Sequence, residues 1–330
     1  MIATLMTVLK WLIGIGVVLW LAMFVLDTVG PTEPVALSPS VPEVEIGPDV
    51  EAWLAAREAG VANLRPGAAK EIVWVGEAGT RTDTAIVYIH GYSAAKAETR
   101  PLADRVAEAT GSNLFYTRLS GHGRDGAAMA APEMQDWVDD VAEAMAVGRR
   151  LGERVVLIGS STGGTLATLA AARPELSEDL AGVVLLSPNF RIAGWAGRLV
   201  EWPGAGNWGP LVFGQERGWT PVSEAHRANW TSRYPTEAAA TVGALVNTVR
   251  NLNLAEIEVP ALFLVASDDT VIDPVAARRA AARWGGPSEL VPVVLGPDDD
   301  PARHVLAGDI LSPSRTAPVA ERIIAWMRDL

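Results

Sequence analysis

"RVVLIGSSTGGTLATLAAARPE", residues 154–175, runs from aliphatic, β-branched residues through a turn of serine and glycine into small helix formers. Arg154 to Gly159 reads as a buried strand and Thr162 to Ala172 as a helix. Two serines occupy the turn, and the glycine spacing separates them. In the pattern G-x-S-x-G, Gly159 and Gly163 flank Ser161, whereas Ser160 has Ile158 two positions before it. A nucleophile on a sharp strand-to-helix turn needs those glycines, because side chains two positions either side would collide there. The helix that follows aims its free N–H groups and the positive end of its dipole at any oxyanion that develops beside the serine. Ser161 is therefore the candidate nucleophile.

Outward from this stretch the same alternation repeats. "EIVWV" (71–75), "TAIVYIH" (84–90), "NLFYTRL" (113–119), "GVVLLS" (182–187), "ALFLVA" (261–266) and "ELVPVVL" (289–295) read as strands. Between and after them, residues 100–110, 133–151, 274–284 and 317–329 carry helical spacing. Near-continuous apolar strands alternating with helices imply βαβ units and a mostly parallel, doubly wound sheet, an α/β fold. The rhythm breaks between Ser187 and Pro260. This stretch holds Trp195, Trp202, Trp208, Trp219 and Trp230, five of the chain's twelve tryptophans. A structureless loop of that length is out of keeping with a compact domain, so residues 188–258 are expected to form a small, mostly helical cap. Its tryptophans either build the cap's own core or face a pocket for an apolar group. Trp195 and Trp230 are the candidates for the second role.

Composition narrows the function. Of the 330 residues, 27 are basic and 39 acidic, a net charge of −12 with no basic run, which argues against a nucleic-acid partner. Cysteine is absent, which removes disulfides, thiolate metal sites and a cysteine nucleophile.

The N-terminus points to a membrane. Between Ile2 and Leu26 the single charge is Lys10. Twenty-five helical residues at about 1.5 Å each exceed the roughly 30 Å hydrocarbon core. Lys10 can snorkel to one interface, and Trp11 and Trp20 suit interfacial anchoring. A cleaved signal peptide is the rival, but no convincing small-x-small cleavage site precedes Pro31, and the candidate ending at Ser38 is followed by Pro39. Residues 1–29 are thus expected to be a transmembrane signal anchor, and the proline-rich residues 30–49 an extended linker. Residues 50–330 would form the main domain. Lys10 precedes the apolar run and acids follow it, so the positive-inside rule places that domain on the non-cytoplasmic side.

A serine hydroxyl needs a base and an orienting acid. The chain has four histidines: His90, His122, His226 and His304. On a strand–turn–helix nucleophile the partners come from loops after later strands, in the order Ser, acid, His. His226 falls in the cap, which leaves His304, in "DDDPARHVLAGD", as the base. "LFLVASDDTVIDP" supplies the acid just past a strand. Asp269 is preferred, Asp268 is the alternative, and Asp273 suits an N-cap for the next helix. Oxyanion donors are expected from the N–H of Thr162, next to the nucleophile, and of Tyr92, after the turn in "VYIHGYS". His90 would buttress that turn. In the glycine-punctuated loop "LSGHGRDG" (119–126), His122 would shape the rim of the site.

The His-Gly turn, "GHG", G-x-S-x-G, a late "DDTV" aspartate and a final histidine, in that order, resemble the α/β-hydrolase superfamily over residues 70–330. The "GHGRDG" loop and the cap are most similar to the branch holding monoacylglycerol lipases and bacterial carboxylesterases. The resemblance implies Ser161 as nucleophile, Asp269 as acid, His304 as base, and Tyr92 and Thr162 as oxyanion donors. Where the family often has a glycine three before the acid, this chain has Ala266. The expectation is a serine carboxylic-ester hydrolase working through an acyl-enzyme on a short- to medium-chain or monoacylglycerol-like ester, with no metal or organic cofactor. A thioesterase, amidase or acyltransferase would use the same triad. A binding protein on this fold would usually lack a triad member.

Overall fold

The computed structural model describes residues 2–29, 33–41 and 43–330. The main sheet has seven strands: β1 (Glu71–Val73), β2 (Thr82–Ile89), β3 (Asn113–Tyr116), β4 (Gly152–Ser160), β5 (Leu180–Leu186), β8 (Ala261–Val265) and β9 (Ser288–Pro292). Two further strands, β6 (Glu216–Gly218) and β7 (Arg233–Pro235), pair antiparallel outside it. The sheet order is β1-β3-β2-β4-β5-β8-β9, and β1 is its antiparallel member.

The period-two rule explains why central strands read as unbroken apolar runs. Ala85, Val87 and Ile89 of β2 and Val155 and Leu157 of β4 enter one core, with the helices Met134–Leu151 and Thr162–Ala172. Ile86 and Tyr88 of β2 and Val156 and Ile158 of β4 enter the other, with the helices Leu102–Thr110 and Pro313–Met327. Both faces are covered, so both faces are apolar. The sheet is doubly wound. Strand ends differ from the sequence reading by a few residues; β3, for instance, ends at Tyr116 rather than at residue 119.

The stretch between β5 and β8 departs from the expected mostly helical cap in two ways. Helices Gly194–Val200, Ala205–Phe213 and Glu224–Asn229 are present, but the β6–β7 ribbon is interleaved with them. A three-residue strand that ends on Gly218, just after Gly214, is too short for hydrophobic periodicity to reveal. The last helix, Ala239–Arg250, places Val242, Leu245, Val246 and Val249 in the main core rather than in a separate layer.

A helix the sequence reading missed, Val50–Ala59, starts on an Asp49 cap whose side chain accepts from the Ala52 N–H. The expected linker is irregular but is not a free spacer over its described residues. Met134 N–H donates to Glu33, Ser40 N–H donates to Asp139, and Ala36 is buried, so this segment lies along the helix Met134–Leu151. Residues 30–32 and 42 of that linker, with Pro31 and Pro42, lie outside the described residues.

The N-terminal helix spans Ile2–Val29. Its stretch Thr4–Ala22, with a mean hydropathy of 2.1, is long and apolar enough to cross a membrane. A membrane anchor and a signal sequence both meet that criterion.

Candidate active site

The β4 strand delivers Ser161 to the carboxyl edge of the sheet in a strained backbone conformation. Ser161 sits at φ 51° and ψ −114°, a region that costs a side-chain-bearing residue about 1–3 kcal/mol. Its N–H donates to Leu186 O at 2.8 Å, and its carbonyl accepts from Thr165 and Asn189 N–H, so the surroundings hold the strain in place. The glycine frame has the steric basis expected of it. A Cβ on Gly159 would strike the Gly163 carbonyl, and one on Gly163 would strike the Ile89 carbonyl.

His304 meets its carboxylate from the loop after β8. Asp269 Oδ2 lies 2.8 Å from His304 Nδ1, while its Oδ1 accepts from the Val271 and Ile272 N–H groups at 2.8 and 3.0 Å. Asp268, the alternative acid, has a side chain 62% exposed and faces Arg303 at 3.8 Å. Asp273 caps the helix Pro274–Arg283 through the Val275 N–H. The histidine loop is tied by Asp300, whose Oδ2 accepts from the His304 and Val305 N–H groups at 2.9 and 2.8 Å. Burial pulls the His304 imidazole down, but the charge and hydrogen bond of Asp269, joined by Glu98 and Asp300, reverse this. The net shift is upward from the usual imidazole value.

Thr162 begins the helix Thr162–Ala172, so its N–H has no intrahelical acceptor. Among the described residues the Tyr92 N–H has no acceptor either. Beneath the Tyr92 turn, His90 is fully buried. Its Nε2 accepts from the Leu119 N–H at 3.0 Å, which assigns the ring proton to Nδ1, 2.8 Å from the Gly91 carbonyl. Burial, with His122 nearby, holds His90 well below the usual imidazole range, as this neutral bridging role requires.

Ser161, Thr162, Tyr92 and His304 line one cavity of ≈ 650 Å³. Its far wall comes from the segment between β5 and β8 and is largely apolar, with Ile192, Val200, Trp208, Phe213, Trp219 and Trp230. Trp230 lines the cavity. Trp195 does not: it is 73% exposed and lies outside the cavity lining. Composition alone could not say which way a cap tryptophan points.

His122 also needs correction as a rim residue. It is fully buried under the turn, against the rings of His90, Tyr92 and Trp137, and burial lowers it to about 4. It supports the Tyr92 turn from below instead of meeting the cavity.

Three wall residues escaped the sequence reading. His226 faces the cavity between the rings of Trp219 and Trp230, at 4.5 and 4.6 Å between centroids. Asn189 packs behind Ser161 with its N–H on the Ser161 carbonyl. Glu98 contributes a buried carboxyl. No motif marks these positions.

Comparison with known proteins gives the family and supports the fold. Residues 80–291 match the family described as "Serine aminopeptidase, S33". The chain belongs to that family of α/β-hydrolases, a class of serine hydrolases of the lipase and esterase type. It is 31% identical over 99 residues to the thermostable monoacylglycerol lipase of Bacillus sp. (strain H-257), a match covering 30% of this chain and 38% of that protein. Two solved structures share the fold. One is from the metagenome-derived lipolytic enzymes LipS and LipT, with 21% identity, a TM-score of 0.62, and coverage of 81% of this chain and 100% of that one. The other is the monoacylglycerol lipase of Paleococcus ferrophilus, with 16% identity, a TM-score of 0.57, and coverage of 78% and 97%.

Proposed function

We propose that this protein hydrolyses carboxylic esters through an acyl-enzyme on Ser161. The observation that carries the reading is His304, held by Asp269 at 2.8 Å and lining one largely apolar cavity with a strained serine. Ser161 Oγ attacks the ester carbonyl carbon while its proton passes to His304 Nε2. Asp269 fixes the tautomer and stabilises the imidazolium without taking the proton itself. The N–H groups of Tyr92 and Thr162 receive the oxyanion. The intermediate collapses as the C–O bond to the alcohol breaks, and the alcohol leaves with the proton from His304. Water, deprotonated by His304, then releases the acid by the reverse sequence.

The apolar wall suits an acyl chain of short to medium length, and the monoacylglycerol lipases among the relatives favour a monoacylglycerol-like ester. The hydrolase domain would occupy residues 50–330, with 188–258 supplying most of the wall over the site. The apolar N-terminal helix would anchor the chain in a membrane with that domain on the non-cytoplasmic face.

The test uses the full chain in detergent. A fluorophosphonate probe should label wild type at Ser161 and leave Ser161→Ala unlabelled. Ser161→Ala should also lose hydrolysis across p-nitrophenyl esters from acetate to laurate while keeping its circular-dichroism spectrum. Retained esterase activity in that variant would refute the assignment. Aminoacyl p-nitroanilides run beside the esters test the amide chemistry that the family's description names.

A further inference from the structure

Glu98 closes the short 3-10 segment Lys96–Glu98 that follows the Tyr92 turn, and it is 2% exposed. Its Oε2 accepts from the Gly91 N–H at 2.8 Å and from the Tyr88 hydroxyl at 3.0 Å. A Cβ on Gly91 would come within 2.6 Å of Glu98 Oε1 and 3.1 Å of Ser161 Cβ. The carboxyl therefore packs against the Gly91 turn, and the turn packs against the nucleophile.

A carboxylate is a costly choice at this position. Burying it without a cation is unfavourable, and a neutral side-chain carbonyl would accept the same N–H at lower cost. Neighbouring Lys96 is engaged with Glu71, and among the described residues no lysine or arginine pairs with Glu98. Around it are the Tyr88 hydroxyl from β2, the Gly91 N–H and the Ser160 hydroxyl at the end of β4, and His304, from the loop after β9, lines the same cavity as Glu98. Of these, His304 alone can carry positive charge. It does so when it holds the proton of Ser161.

We propose that Glu98 is a positioning residue of the reaction: its buried carboxylate fixes the Gly91 turn that aims the Tyr92 N–H, and stabilises the imidazolium formed on His304. Asp269 serves His304 through Nδ1, and Glu98 adds a second negative charge from the oxyanion side. Burial raises the Glu98 carboxyl, and although the Gly91 N–H and His304 oppose that shift the net direction is upward; in return, Glu98 helps raise His304. The inference rests on the triad proposed above.

Glu98→Gln tests it in the full chain in detergent, with p-nitrophenyl butyrate as substrate. Glutamine keeps a carbonyl for the Gly91 N–H and removes the charge. The variant should lose roughly 10- to 100-fold in kcat/KM, mostly in kcat, and its acid limb should move down by about half a pH unit or more. A purely structural role would leave the acid limb in place. Glu98→Asp restores the charge and should return the limb toward the wild-type position even where the rate stays low; it also decides the matter if the glutamine variant does not fold. An unshifted limb with kcat/KM within about threefold of wild type would overturn the proposal. Wild type that neither labels with fluorophosphonate nor hydrolyses the ester would instead overturn the triad reading, and this inference with it.

Discussion

Replacing Asp269 by asparagine puts the hydrogen-bond logic of the site to its most direct test. Asp269 Oδ1 holds the Val271 and Ile272 N–H groups at 2.8 and 3.0 Å, and an asparagine carbonyl can keep both bonds. The amide nitrogen then falls opposite His304 Nδ1, 2.8 Å away in the wild type, where two N–H donors would face each other. The imidazole relieves the clash by moving its proton to Nε2, which leaves no lone pair to receive the Ser161 proton. The expected loss in kcat/KM is about 10⁴-fold, or about 5 kcal/mol of transition-state stabilisation, with the fold intact. Asp268→Asn is the matched control. Its side chain is 62% exposed and 3.8 Å from Arg303, so the change should stay within about twofold. The assay is p-nitrophenyl butyrate hydrolysis with circular dichroism on each variant. Asp269→Asn keeping more than about a tenth of wild-type activity, or Asp268→Asn losing as much, would refute the reasoning.

His304 must be neutral to act as base, and its raised value places the acid limb of kcat/KM above the ordinary imidazole value of about 6.5; a limb below that value contradicts the geometry. The same group links stability to pH. Because its folded value is raised, its contribution is fully present below the unfolded imidazole value and fades as pH rises through the folded one, which urea midpoints across that window should follow. Gly163→Ala drives a methyl into the Ile89 and His90 carbonyls, so it should destabilise the fold by about 1–3 kcal/mol and depress activity; an unchanged urea midpoint counts against the close packing of the turn.

Much of the site could be read from the chain because its logic is local. The glycines at 159 and 163 are demanded by backbone atoms within the turn or directly beside it, and they single out Ser161 over Ser160. Strand and helix order followed from periodicity, since both sheet faces are covered and the strands are apolar throughout. With four histidines and no cysteine, elimination brought forward one base.

What lay beyond the sequence depends on direction in space. A tryptophan has the same composition signal whether it lines the cavity, as Trp230 does, or faces solvent, as Trp195 does. The histidines make the same point: loop packing buried His122, expected at the rim, under the Tyr92 turn, and turned the cap's His226 to the cavity wall. Asp268 and Asp269 are adjacent in sequence, and only the course of the chain after β8 gives one of them His304 and the other solvent. Glu98 carries no motif at all; its meaning comes from Gly91, Tyr88 and His304, which three separate segments bring around it. The sequence by itself singled out Ser161 and determined the layered α/β plan, because short-range sterics and residue periodicity enforce them. The tertiary structure decided which acids, rings and carboxyls face that serine, because such contacts depend on how distant loops pack together.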